Sequence, residues 1–324
     1  MHGLSVTGAL TALILGMTCA PALHAQEFPR RPIRLIVPFA PGGTSDIVGR
    51  LVAATLSDDL RQQVITDNRA GAGAVIGTEI AARAMADGYT IIVNHIGLAI
   101  NETMYPKRNY NALADLTGIT LLGFTPNALV LNNALPAKNA RDFIALAKAQ
   151  PGKIAYGSGG VGSASHLSAA LLEQLAGVRF NHIPYKGAGP AMIDVIAGHV
   201  QFSAPTLPVA LTHYNAGHVQ LVATTGEKRA PTLPAIPTLA EAGVPGYSYT
   251  TWYALFAPAN TPKPIVARIN QAFVQALHNT DLGQLLALQG LEPASSTPEQ
   301  LNNRLRVDID KWRKVIKSAG IDPQ

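Results

Sequence analysis

Thirteen residues constrain the chain more than any others: Arg34-Leu35-Ile36-Val37-Pro38-Phe39-Ala40-Pro41-Gly42-Gly43-Thr44-Ser45-Asp46. Leu35, Ile36 and Val37 form an unbroken apolar run, the pattern of a strand buried on both faces in a sheet covered by helices. Pro38 has no N–H to donate and ends the ladder. Gly42 and Gly43 tolerate positive φ and leave backbone N–H groups unscreened, and Thr44, Ser45 or Asp46 can cap a helix that begins near Ile47. Such a unit aims a helix N-terminus out of a sheet edge, where anions are favoured.

The unit recurs along the chain. Residues 63–67 read as a strand, 68–73 as a glycine-rich loop, and 75–86 as a helix with Val75, Ile76 and Ile80 on one face. Asp87-Gly88 is a turn, and 89–93 a third strand. This alternation argues for a parallel, doubly wound sheet, whose ligands sit beyond the carboxyl ends of its strands. That rule puts the Gly42-Gly43 loop, the 71–73 loop and His95 on one rim. From residue 128 the pattern restarts, with strands at 128–131, 154–156, 179–183 and 219–224, and helices at 140–149, 164–176 and from Pro190. The loops Gly157-Ser158-Gly159-Gly160-Val161-Gly162-Ser163 and Pro184-Tyr185-Lys186-Gly187-Ala188-Gly189 are its strand-to-helix turns. The tail is helical again: Thr261-Pro262 and Thr297-Pro298 place a hydroxyl before a helix-starting proline, and Gln300 completes a capping box with Thr297. Val266, Ile269, Phe273 and Leu277 form an apolar stripe that docks on the first domain, so the chain crosses back near 249–253. Two lobes joined by two crossings make a hinged clamp.

With 324 residues there is length for two cores. The first twenty-five residues contain no Asp, Glu, Lys or Arg, carry an apolar stretch from 9 to 17, and end in Ala20-Pro21-Ala22 and Leu23-His24-Ala25. That stretch is too short to span a bilayer and reads as a secretory signal peptide cut after Ala22 or Ala25. The single cysteine, Cys19, lies within it, and Gly16-Met17-Thr18 is not the context of a lipidated cysteine. The mature chain therefore has no disulfide, thiol nucleophile or Cys-ligated zinc, which suits a bacterial periplasm. Net charge is +5 with the basic residues scattered, and the cluster Lys311, Arg313, Lys314, Lys317 reads as a solvated helical face. No aromatic interleaving points to nucleic acid.

Catalytic readings fare poorly. The 157–162 loop fits G-x-G-x-x-G, but the acidic residue expected about twenty positions on is missing from Phe180-Asn181-His182-Ile183, which argues against a dinucleotide. No G-x-S-x-G surrounds Ser158, Ser163 or Ser165. Ser163 and His166 are the candidates for an alternative reading, an exported hydrolase acting on a carboxylate or ester. The nine histidines form no metal motif. Donors for anions are many and nucleophiles few, so a binder without cofactor or metal is favoured over an enzyme. Phe39 is expected in a pocket, Trp252 in a pocket or a core, and Asp46 in a structural or water-mediated role at its helix start.

At RPIRLIVPFAPGGTSD (31–46), GSGGVGSASHL (157–167), IPYKGAGPAMIDVIAGHV (183–200) and PTLAEAGVPGY (237–247) the chain resembles the periplasmic solute-binding receptors of tripartite tricarboxylate transporters, the Bug-type family. The resemblance implies a type II periplasmic-binding-protein fold: two doubly wound α/β lobes joined by two crossovers, with residues 26–126 and 250–324 in one lobe and 127–249 in the other. It implies a monomer that passes a small carboxylate, a di- or tricarboxylate or an aromatic acid, to membrane permease subunits. Its ligand loops fall on 39–46 and 158–163. With His95 and Tyr185, the candidate ligand-binding residues are Phe39, Ala40, Gly42, Gly43, Thr44, Asp46, His95, Ser158, Gly160, Gly162, Ser163 and Tyr185. One departure stands out: many members carry an acidic residue near the position of Pro205.

Overall fold

A computed structural model describes residues 28–279, 281–318 and 322–324. The proposed signal peptide and Cys19 lie outside the described residues. The elements are β1 (Ile33–Val37), α1 (Thr44–Leu60), β2 (Val64–Asn68), α2 (Val75–Ala82), β3 (Thr90–His95), α3 (Gly97–Met104), α4 (Ala112–Asp115), β4 (Leu116–Pro126), β5 (Ala128–Asn132), α5 (Ala140–Ala149), β6 (Ala155–Ser158) and α6 (Ala164–Ala176). There follow β7 (Asn181–Pro184), α7 (Ala188–Ala197), β8 (Phe202–Ser203), α8 (Leu207–Asn215), β9 (Val219–Thr224), β10 (Thr250–Pro258), α9 (Lys263–Asn279), α10 (Leu282–Leu288), β11 (Glu292–Pro293) and α11 (Pro298–Ser318).

These strands form two sheets, ordered β11-β4-β10-β3-β1-β2 and β7-β6-β8-β5-β9. The first and last thirds of the chain build the former and the middle builds the latter. The chain passes between them once from β4 to β5 and once into β10. β1 behaves as its apolar run predicts: Ile33, Leu35 and Val37 pack with α1 and α9, while Ile36 faces the opposite layer. Val266, Ile269 and Phe273 of α9 are buried in the α1 layer with Leu277 packed against it, as the stripe predicts. Each such buried side chain contributes about 1.5–3 kcal/mol.

The parallel sheet expected for the first lobe is correct only for its half near the N-terminus. β1 runs parallel to β2 and β3, but β10 is antiparallel to both β3 and β4. The strand returning from the other lobe enters reversed, and β4, eleven residues long, falls in a region read as neither helix nor strand. α2 ends four residues early and turns Ile76 outward at 48% exposure, so that residue is not on the buried face. Thr261 does not cap α9; its hydroxyl donates to the Pro258 carbonyl at 2.7 Å. The capping box at Thr297 and Gln300 forms in both directions, at 2.9 and 3.2 Å. Trp252 is core: it is 1% exposed and its Nε1 donates to Asp308 at 2.7 Å.

Candidate functional site

The β1-α1 turn shows how the sequence shapes the first wall. α1 starts at Thr44 rather than near Ile47, with Gly43 as its N-cap and no side-chain cap. Asp46 works one turn back instead. Its carboxylate accepts from the Gly42 N–H at 3.1 Å and from Asn68 at 3.0 Å, and pairs with Arg50 at 3.0 Å. Burial opposes its ionisation, but these three partners together hold its carboxyl below the usual range. Gly42 adopts φ +81°, which a side chain would strain. The turn is thereby fixed with the first α1 amides pointing out of the sheet.

A cavity of about 30 Å³ lies between the two sheets. At roughly 10–15 Å³ per water it has room for two or three. Phe39, Gly43, Thr44, Ser45, His95 and Tyr253 form one wall, and Gly159, Ser163, Ala164, Ser165, Ala188, Pro205 and Thr206 the other. Four helices begin at these walls: α1 at Thr44, α6 at Ala164, α7 at Ala188 and α8 at Leu207. Each N-terminus carries a partial positive charge of roughly half a unit. The amides of Thr44, Ser45, Ala164 and Ala188 find no acceptor among the described residues, as first-turn amides do when their partner is external. No Lys, Arg, Asp or Glu lines the cavity.

His95 stacks on Phe39 at 5.0 Å and meets Tyr253 edge-on at 5.6 Å. Its Nδ1 accepts the Gly97 N–H at 2.7 Å, which places the ring hydrogen on Nε2. Burial pulls His95 down to about 4, so it is a neutral donor at neutral pH. Burial likewise pushes the Tyr253 hydroxyl up to about 12, keeping its proton. Thr44 and Thr206 hydroxyls touch across the cavity, 162 positions apart in sequence.

Of the candidate ligand-binding residues, Phe39, Gly43, Thr44, His95 and Ser163 line this cavity. The other seven frame it. Ala40 N–H donates to the Lys186 carbonyl at 3.1 Å, and Gly42 and Asp46 brace the turn. Gly160 and Gly162, expected to offer amides to a ligand, have them engaged: Gly160 N–H on Ser158 Oγ at 3.1 Å, Gly162 N–H on His166 Nδ1 at 3.2 Å. Ser158 Oγ also meets His182 Nε2 at 2.6 Å, and the Tyr185 hydroxyl donates to Asp194. Ser45 and Gly159 lie within the expected ligand loops though not among the named candidates, Ser165 lies just beyond the second loop, and Pro205 is the departure noted above; sequence reasoning did not place Ala164, Ala188, Thr206 or Tyr253. Thr206-Leu207-Pro208, a hydroxyl just before a proline in the first helical turn, was an available signal for α8. Nothing local marks Tyr253.

Ser163 and His166 do not form a nucleophile and base. Ser163 Oγ caps α6, accepting the His166 backbone N–H at 3.3 Å and meeting Ser165 Oγ at 3.1 Å. The His166 ring stacks on His182 at 4.4 Å. Among the described residues no group of His, Cys, Asp or Glu could hold a metal, and no helix is long and apolar enough to cross a membrane.

Two α/β lobes with helix N-termini converging on an interlobe cavity define a solute-binding receptor of the type II periplasmic-binding class. The chain belongs to the tripartite tricarboxylate transporter receptor family, whose profile matches residues 48–321. It is 36% identical to Protein BugT of Bordetella pertussis over 303 residues, 93% of each chain. Its fold matches the R. palustris protein Rpa4515 with adipate at a TM-score of 0.89 and 35% identity, covering 92% of this chain and 100% of that one. It also matches MatC of Rhodopseudomonas palustris with bound malate at 0.83 and 32% identity, covering 89% and 100%.

Proposed function

We propose that the protein captures a small carboxylate in the interlobe cavity and delivers it to a tripartite-type membrane permease. The observation that carries this reading is the convergence of four helix N-termini on a cavity with no charged side chain. An anion is stabilised there by backbone dipoles and neutral hydroxyls, with no competing cation to bind. Charge-assisted hydrogen bonds contribute roughly 1.5–3 kcal/mol each, so four or five exceed the ~8 kcal/mol of a micromolar complex before association costs. Pro205 forms part of this wall, so it adds no repulsion to a carboxylate and no partner for an amine.

The cavity's size matches one carboxylate head. A chain such as adipate or malate, the ligands of two similar proteins, requires the lobes to part by more than they do here. Hinge opening at the β4-β5 and β10 crossings supplies that movement, with 26–126 and 250–324 moving against 127–249. Export through the N-terminal segment places the monomer in the periplasm, where it binds without turnover.

The test is a thermal-shift screen of di- and tricarboxylates and aromatic acids, beside ester substrates assayed for hydrolysis. At a hundredfold excess over Kd a ligand adds about 2.7 kcal/mol. A clear shift with at least one carboxylate and no ester turnover is expected; turnover dependent on Ser163 would overturn the reading.

A further inference from the structure

His95 presents a donor to the interlobe cavity that capture of a carboxylate head leaves unused. Its ring is held from three sides: Phe39 stacks on it at 5.0 Å, Tyr253 meets it edge-on at 5.6 Å, and Gly97 lies so near that an added Cβ would stand 2.4 Å from His95 Cε1. The Gly97 N–H on Nδ1 fixes the tautomer, so the ring hydrogen sits on Nε2. His95 is 3% exposed, and Nε2 meets no acceptor among the described residues while keeping surface open to the cavity. The Tyr253 hydroxyl, beside the Thr44 and Thr206 hydroxyls, opens on the same space.

A buried donor without an acceptor is rare in folded proteins and marks a group awaiting one. The carboxylate itself belongs at the first-turn amides, where the helix dipoles concentrate positive charge. His95 and Tyr253 stand on β3 and β10 and are neutral, so they suit an uncharged oxygen. Both donor sets share about 30 Å³, which keeps the oxygens they hold no farther apart than substituents on neighbouring carbons. Resting on the carboxylate reading above, we infer that His95 is a specificity-determining residue, whose Nε2–H selects acids bearing a carbonyl or hydroxyl oxygen on the carbon next to the carboxylate. A 2-oxo oxygen accepts from His95 and Tyr253 together. A 2-hydroxyl accepts from His95 and donates its own hydrogen to a threonine hydroxyl. An acid without that oxygen strips water from the imidazole donor and leaves it unpaired, a cost the hydrated free protein does not bear.

The test is isothermal titration of acids paired with their partners lacking that oxygen: malate against succinate, and 2-hydroxyglutarate and 2-oxoglutarate against glutarate. In the wild type the oxygen-bearing acid is expected to bind about ten- to a hundredfold more tightly. In His95→Phe, which keeps an aromatic ring between Phe39 and Tyr253, that ratio should fall toward one, whatever happens to affinity as a whole. His95→Gln, whose side-chain amide donates from a similar position, should keep part of the ratio, and a thermal melt of each variant shows that it is folded. A ratio near one in the wild type, a ratio retained in His95→Phe, or binding confined to acids without the oxygen overturns the inference and leaves carboxylate capture standing. A protein that none of these acids and no carboxylate of the thermal-shift screen stabilises overturns the capture reading, and this inference with it.

Discussion

The hydroxyl of Tyr105, the residue that caps the C-terminus of α3, donates to the Val161 carbonyl in the β6-α6 loop at 3.1 Å, across the interlobe boundary. This contact belongs to a seam beside the cavity. Gly73, at φ +58°, comes so close that an added Cβ would sit 2.3 Å from the same Val161 oxygen. Asn101 holds the Gly73 carbonyl at 2.8 Å from behind. The 160–162 loop therefore grips the opposite lobe instead of facing the ligand.

Removing the Tyr105 hydroxyl should shift the closing equilibrium without touching the cavity. A neutral hydrogen bond contributes about 0.5–1.5 kcal/mol, so Tyr105→Phe should lose roughly two- to tenfold in affinity. Calorimetric titration checks this; unchanged affinity would mean the seam does not hold the closed state.

Gly73→Ala should be more severe. A left-handed alanine costs about 1–2 kcal/mol of backbone strain, and its clash with the Val161 carbonyl blocks closure. The variant should stay folded, with a thermal midpoint within a few degrees of wild type, and show a larger radius of gyration by small-angle scattering in the presence of ligand.

The stacked pair His166 and His182 should make the protein acid-sensitive. Burial lowers both, His166 to about 3 with help from His182, and His182 to about 4, against 6.5 in an unfolded chain. The unfolded state therefore takes up protons first. Their contribution is complete above pH 6.5 and is lost as pH falls toward 3 to 4. The groups facing the pair, Ser158 on His182, the Gly162 amide on His166 and the stacked Tyr156 ring, carry no charge that would hold a proton there. Replacing both histidines by glutamine should lessen the fall of the thermal midpoint between pH 6.5 and 4, leaving the share that His95 contributes; an unchanged slope would contradict this.

Trp252 and Asp308 test the core independently of binding. Trp252→Phe leaves the 8%-exposed Asp308 carboxylate with Arg304, at 3.9 Å, as its one remaining side-chain partner among the described residues. An unsatisfied buried acceptor costs about 1–3 kcal/mol, so denaturant unfolding should show that loss while ligand affinity is kept.

Which features were legible in the sequence follows from where their causes lie. α6 and β9 match their expected bounds because their causes are local: Ser163 caps α6 and Gly177 ends it at φ +64°. The opening turn was legible for the same reason, down to Phe39 in a pocket and a bracing role for Asp46. β4 was not, because Gly118 and Gly123 interrupt its apolar pattern and its pairing partner β10 is more than a hundred residues away. Nor was the direction of the 160–162 loop, which is decided by Gly73 and Tyr105 in the other lobe. Tyr253 reaches the cavity only because β10 crosses back beside β3.

Gly43 offers the most direct test of the central claim. Its backbone, at φ −86° and ψ 164°, accepts any residue, and an added Cβ meets Ala40 O at 3.7 Å and Ala188 N at 4.0 Å, ordinary contacts. Valine therefore leaves the fold intact while its methyl groups cover the α1 amides. Isothermal titration of wild type and Gly43→Val with the carboxylate that gives the largest thermal shift is decisive. The account predicts micromolar binding to wild type and at least a hundredfold loss in the variant; equal affinities would contradict it.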